Sequence, residues 1–365
     1  MQSPTNATTA TMKALRLEHW QSPAVLRDVD RPEPGPGEVL VQVGGAGACH
    51  SDLHLMHEFG EGQLPWSPPF TLGHENAGWV HTLGDGVTGL EPGQPVAVVG
   101  AWGCGTCERC RADLETYCDH PERTRAPGGG GGLGLDGGMA EFLLVPDARH
   151  LVPLPDGLEP VHAAPLTDAA LTPYHAVRRS WGKLGPGATA VVIGVGGLGH
   201  LGIQVLHATT AARIIAVDPR ESARDLAKRS GADLVLAPGD ALAATVREAT
   251  GGIGADVVLD FVGSDETLLS AAAMVRQLGD LTLVGLGGGT LPVSFFSPPY
   301  EVSVQSTYWG NRHELVEVLD LASRGLLHAE VRVFGLEEAV TAYELLAAGA
   351  IDGRAVIAPN TEYRP

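Results

Sequence analysis

The sequence predicts an α/β fold in two parts: a doubly wound parallel sheet joined to a mostly β catalytic domain. Three observations carry this. From about residue 169 short apolar runs alternate with helical stretches, as in TAVVIG, GLGHLGIQVLHAT, RIIAVD and ESARDLAKRSG, then DVVLDFVG and LTLVGLGG. Such alternation marks parallel strands joined by crossover helices. Before it, residues 13 to 152 are rich in Gly and Pro and hold strand-like runs such as EVLVQVGGAG and QPVAVVG. A chain of 365 residues also exceeds what one core usually holds.

Taken in order, residues 1–12 (MQSPTNATTATM) read as a flexible leader, without the basic and apolar regions of a secretory signal. Residues 13–168 form the catalytic domain. Five consecutive glycines, Gly128 to Gly132, read as a mobile loop leading into the strand at AEFLLV. Residues 169–308 form the nucleotide-binding domain. Residues 309–365 hold a helix (NRHELVEVLDLASRG), a second helix and a final apolar strand, and are expected to return to the catalytic domain.

The formal charge of −19 argues against nucleic acid and anionic membranes as partners, since phosphates would be repelled. The chain has no apolar run of membrane-spanning length. Free thiols without a secretory signal fit a reducing cytoplasm.

Four of the five cysteines lie close together: Cys104, Cys107, Cys110 and Cys118. Their spacing is too tight for a disulfide framework. It suits one tetrahedral ion with four thiolate ligands and no open position, a structural zinc. An iron–sulfur cluster or a redox Cys-x-x-Cys are the alternatives.

Gly194, Gly196, Gly197 and Gly199 form a G-x-G-G-x-G turn after an apolar strand and before a helix. Gly194 permits the turn, Gly196 lets backbone approach a pyrophosphate, and Gly199 lets helix pack on strand. The helix N-terminus then offers N–H groups to the phosphates. Asp218 ends the next strand, 19 residues after Gly199. An acidic residue there takes the ribose hydroxyls and repels a 2′-phosphate, so NAD is expected over NADP. Arg220 complicates this, because an arginine at that place can meet a 2′-phosphate.

Cys49 stands apart, in GACHSDLH. Downstream, Gly73-His74-Glu75, Gly78, Gly84 and Val87 spell G-H-E-x2-G-x5-G-x2-V. With the four-cysteine loop, the glycine turn and the acidic strand end in the same order, the chain resembles the zinc-dependent medium-chain alcohol dehydrogenases over nearly its whole length after residue 12. CHSD, GHE, PLTDAALTPYHA and YWG look most like the bacterial NAD-dependent secondary-alcohol members. The resemblance implies a Rossmann sheet plus a GroES-like catalytic domain, NAD, two Zn²⁺ per chain, and a homodimer or homotetramer.

A catalytic zinc needs three protein ligands and one open position. Cys49 and His74 supply two. The resemblance implies Asp168 as the third; His162 and His175 compete, and Glu75 is a possible transient ligand. Asp52 resembles the carboxylate that holds His74 in one tautomer. Ser51 matches the hydroxyl that first takes the proton, and His54 the histidine that passes it to solvent. His50, Thr172 and Arg354 match cofactor-binding positions. Trp66, Trp102, Leu286, Phe296, Tyr308 and Trp309 are candidate pocket walls, which would suit an apolar alcohol, ketone or aldehyde. Two alternatives stay open: a polyol or thiol-adduct dehydrogenase on the same scaffold, and a zinc- and nucleotide-binding protein without turnover.

Overall fold

The computed structural model describes residues 10–365. The expected leader lies outside the described residues up to residue 9, but its end does not: the strand Thr11–Leu17 already pairs with Val25–Asp30 and with Phe70–Thr71.

The first half folds around a seven-stranded sheet. Leu151–Pro153, Pro95–Val98, Glu75–Leu83 and Val39–Ala48 follow one another across it, and Phe142–Val145 also pairs with Val39–Ala48. The sheet is completed by the far end of the chain. Arg354–Ile357 pairs antiparallel with the end of Val39–Ala48, Ala355 opposite Ala48, and the strand Val331–Phe334 lies parallel beside it. Val331–Phe334 is a strand the sequence reading did not anticipate.

The second half forms a six-stranded, wholly parallel sheet in the order Leu234–Leu236, Arg213–Val217, Thr189–Ile193, Ala255–Asp260, Val275–Leu283, Ser303–Ser306. Chain order reverses between Thr189–Ile193 and Ala255–Asp260. That is the topological switch point of a Rossmann sheet, where ligands bind beyond the strand ends. Val191, Ile193, Val258 and Leu281 are buried, as parallel strands covered on both faces must be.

One buried cluster runs through both halves. It joins Leu166, Leu171 and Trp309 to Leu201, Ile203 and Leu315, with the helices Leu171–Arg179 and Arg312–Ser323 at its centre.

The five-glycine stretch departs from expectation. Gly130–Gly131 is a short buried strand beside Gly134–Leu135. The glycines are there for closeness: a Cβ on Gly132, at φ +83, would stand 2.5 Å from the Gly73 backbone, and one on Gly129 would stand 2.1 Å from the Leu133 oxygen. Gly128 is exposed with open space beside it, but Gly129 to Gly132 are buried and closely packed, Gly132 against the backbone just before His74.

Candidate active site

The site lies where the two halves meet. The helix His50–His57 begins directly after the strand Val39–Ala48, with Cys49 as its N-cap. Asp52, in the first turn, bends back to accept the Cys49 N–H at 3.0 Å. Its other oxygen meets His74 Nδ1 at 3.1 Å. That contact fixes the imidazole with hydrogen on Nδ1 and turns Nε2 toward Ser51 and Asp168, where it can ligate an ion once unprotonated. Asp168 Oδ2 stands 3.6 Å from this Nε2. The ligand atoms of Cys49, His74, Glu75 and Asp168 all lie within 4.8 Å of one another. One thiol, one imidazole and one or two carboxylates, mostly buried, form a donor set that fits zinc. Burial opposes charge on His74, but Asp52 and Asp168 hold its pKa well above the usual histidine value.

Ser51 Oγ is 3.2 Å from His74 Nε2, so this hydroxyl faces the ligand cluster. His54 does not bond to Ser51; its Nδ1 pairs with Glu58 at 2.7 Å near the surface. His50 is exposed at the start of the same helix. The competing histidines are elsewhere. His175 is fixed between Glu314 and the Tyr117 hydroxyl, and His162 lies beside His328.

Two residues expected at the cofactor have other partners. Thr172 donates its hydroxyl to Asp168 Oδ1 at 2.5 Å, because residues four apart meet on the helical turn that Asp168 opens. Arg354 is buried and ion-paired with Glu75, itself fully buried. Burial pushes the Glu75 carboxyl up to about 7 against the opposing pull of Arg354.

Arg354 still reaches the nucleotide turn. Its guanidinium stands 2.5 Å from where a Gly197 Cβ would be, and its buried Nε has no protein partner. Open space lies on the Cβ side of Gly196, while a Cβ on Gly199 would strike the Gly194 oxygen at 1.9 Å. Gly194 has φ +85, which only glycine adopts cheaply. Asp218 accepts from Val195 N at 2.8 Å and Arg220 N at 2.9 Å, so the acidic strand end also shapes the turn. An orphaned cationic donor, an open glycine face and the N-terminus of the helix Gly199–Thr209 together fit a dinucleotide pyrophosphate.

The cleft walls correct the sequence reading in part. Trp309 is buried, its ring edge-on to His74 at 5.6 Å, with Nε1 bonded to the Thr167 oxygen at 2.8 Å. Tyr308 stands next to it, 43% exposed, its hydroxyl donating to the Gly128 oxygen at 3.1 Å. The other four stand elsewhere. Trp66 packs on Trp20 and Phe70 in the β-domain core. Trp102 stacks on His150 and donates to the Val99 oxygen, a satisfied core indole. Leu286 and Phe296 are 64% and 82% exposed beyond the end of the parallel sheet. An aromatic letter alone does not say which core it fills.

Sequence reasoning missed Tyr343. It lies on the helix Ala339–Ala347, fully inside the core, and donates to Asp52. Nothing in AVTAYELLA separates this residue from an ordinary core aromatic.

The four remaining cysteines gather as expected. All are free thiols, with Cys104–Cys110 and Cys107–Cys118 sulfurs 3.9 Å apart. A tetrahedral zinc with bonds of about 2.3 Å has sulfur–sulfur edges of about 3.8 Å. Backbone N–H groups of Cys104, Cys110 and His120 each point at a cysteine sulfur at 3.4 Å. Such N–H···S contacts stabilise thiolates.

Among known proteins, residues 35–156 match the alcohol dehydrogenase GroES-like domain, and residues 197–324 match the zinc-binding dehydrogenase family. An NAD-dependent alcohol dehydrogenase of Sulfurisphaera tokodaii is 37% identical, covering 95% of this chain and 100% of that protein. The solved alcohol dehydrogenase of Aeropyrum pernix is 39% identical with a TM-score of 0.87, over 95% of this chain and 100% of that one. The acetophenone reductase of Geotrichum candidum, solved with NAD, is 30% identical with a TM-score of 0.80, covering all of both chains.

Proposed function

This chain belongs to the zinc-dependent medium-chain alcohol dehydrogenase family, and on that premise we propose that it acts chiefly on apolar secondary alcohols and their ketones. It is an NAD-dependent alcohol dehydrogenase, moving hydride between NAD(H) and an alcohol and its ketone or aldehyde. The observation that carries the site assignment is the convergence of Cys49, His74 and Asp168 within 4.8 Å.

These three side chains hold the catalytic ion, with Glu75 close enough to join them transiently. When bound, zinc supplies a Lewis acid for the substrate oxygen, and NAD supplies the hydride acceptor. Asp52 keeps His74 in the ligating tautomer, and Thr172 keeps Asp168 turned inward. Ser51 Oγ faces the ligand cluster, 3.2 Å from His74 Nε2, and takes the alcohol proton first. His54, paired with Glu58 near the surface, returns it to water. His50 and Arg354 meet the cofactor phosphates, Arg354 through the Nε that no protein atom satisfies. A second zinc occupies the four-cysteine lobe, giving two per chain.

The aromatic wall of Tyr308 and Trp309 supports an apolar substrate. So does the likeness to an acetophenone reductase. A homodimer or homotetramer is supported by Phe295, Phe296 and Tyr300, which touch one another at 5.0 and 5.4 Å while 76%, 82% and 48% exposed. Among the described residues no helix is long and apolar enough to cross a membrane. A cytoplasmic location, without nucleic-acid or membrane partners, fits the charge of −19.

The test is a panel of 2-propanol, 1-phenylethanol, ethanol, benzyl alcohol and sorbitol, followed by NADH absorbance. The secondary, apolar alcohols should give the highest kcat/KM. A lead for sorbitol would overturn the proposal.

A further inference from the structure

We propose that the four-cysteine lobe sets the shape of the substrate cleft, with Thr116 and Tyr117 as positioning residues. This rests on the reading of Tyr308 and Trp309 as cleft walls.

The lobe grips the segment 308–313 at three successive places. Tyr117 donates its hydroxyl to the Tyr308 oxygen at 3.3 Å. Thr116 donates to the Gly310 oxygen at 3.1 Å. Asp113 accepts the His313 N–H at 2.7 Å. The partners are about 190 to 200 residues apart in sequence, so nothing local holds them.

The gripped segment has little backbone support of its own. Residues 307–311 join the strand Ser303–Ser306 to the helix Arg312–Ser323, which Asn311 caps and whose first turn holds His313. Trp309 within it has φ +57, a left-handed conformation that a bulky residue keeps only when its surroundings impose it. Those surroundings are visible. The lobe takes the carbonyl before Trp309 and the one after it. The indole N–H is taken by Thr167, and the ring fills the space left by Gly100, whose Cβ would stand 1.7 Å from it. The same ring lies edge-on to His74. A displacement of the lobe therefore moves Trp309 against a ligand imidazole and moves Tyr308 in the cleft.

Within the lobe the four thiols converge, Glu115 joins Gly103 N to Arg149, and Arg109 pairs with Asp119. Filling of the cysteine site is thereby coupled to the cleft as well as to stability.

The experiment compares Thr116→Val, Thr116→Ser and Tyr117→Phe in metal-replete full-length protein. Thr116→Val and Tyr117→Phe should each raise the KM for 1-phenylethanol about fivefold, as expected for one lost hydrogen bond. The dissociation constant for NADH, from fluorescence titration, should not move. Thr116→Ser keeps the hydroxyl and should match the wild type. A lowered melting temperature with unchanged KM in both variants would overturn the coupling, and so would a Thr116→Ser enzyme as impaired as Thr116→Val. The cleft reading is tested apart, by Trp309→Phe with the lobe intact. If its preference for 1-phenylethanol over ethanol stays at the wild-type value, the wall assignment fails, whatever Thr116 does.

Discussion

Tyr343 donates its phenol hydrogen to Asp52 at 2.7 Å, across 291 residues of chain. Asp52 is fully buried and carries three contacts at once: the Cys49 N–H, the Tyr343 hydroxyl and the His74 ring. A buried carboxylate is tolerable only when so satisfied. The C-terminal helix is thus bound to the histidine of the ligand cluster through one intermediate.

Tyr343→Phe keeps the ring's volume and removes one donor to a charged group, a loss of about 1.5–3 kcal/mol. With Asp52 less well held, His74 is less firmly oriented. Metal retention or activity should fall by about tenfold, the usual consequence of losing such outer contacts. Zinc loss against a competing chelator and kcat/KM measure it. A variant that keeps both at wild-type level would show that the Cys49 N–H alone suffices for Asp52.

Asp168 is the proposed ligand on which the site assignment depends most. Asp168→Ala should lower zinc from two per chain to one and abolish nearly all turnover, while Asp168→Cys should keep two. Cys107→Ser should also leave one zinc, but from the other site, with a lower melting temperature. Elemental analysis of fresh protein separates these outcomes. An active Asp168→Ala enzyme with two zincs would mean that Glu75 holds the ion.

Asp218 should give NAD an advantage over NADP of about two orders of magnitude in kcat/KM, through bonding to the ribose and repulsion of the extra phosphate. Asp218→Gly should reduce the use of NAD and raise that of NADP. The first effect has a second source here, since the Val195 N–H loses its acceptor and the turn loosens. The gain with NADP is limited, because Arg220 also lies 3.6 Å from Asp352 and 3.4 Å from the Gly349 oxygen. A wild-type enzyme that prefers NADP would assign the pocket to Arg220.

His200 should make the protein acid-sensitive. It is fully buried behind the glycine turn, its Nδ1–H donated to the Gly196 oxygen at 2.8 Å. Burial lowers its pKa to about 4, despite the bond to Gly196. An unfolded histidine titrates near 6.5, so below that pH the unfolded state takes up the proton first. The stabilisation is complete above about pH 6.5 and is lost as pH falls toward 4, amounting to at most about 3 kcal/mol. The melting temperature of the wild type should drop across this window, and that of His200→Gln should drop less. Parallel curves would place the acid sensitivity elsewhere.

What the sequence determined by itself was whatever sits close along the chain. The four-cysteine spacing, the turn from Gly194 to Gly199 and the Gly73-His74-Glu75 signature were legible because a few neighbouring residues must meet one ion or one phosphate. Their spacing is then set by local backbone geometry. Asp52 and Ser51 were reached through the family resemblance of CHSD and not through spacing. The tertiary structure decided the partners that arrive from far away: Tyr343 on Asp52, Arg354 on Glu75, Thr116 and Tyr117 on the segment of Trp309. It also sorted the aromatic residues, placing Trp309 against His74 and Trp102 against His150. A tryptophan or tyrosine satisfies the same hydrophobic pattern in any core, and only the closure of the two halves fixes which polar atom its hydrogen meets. The five glycines mark the same boundary. Chain statistics give them freedom, and Gly128 keeps it, but the backbone of Leu133, Gly100 and Gly73 removes it from Gly129, Gly130 and Gly132 by leaving no room for a side chain.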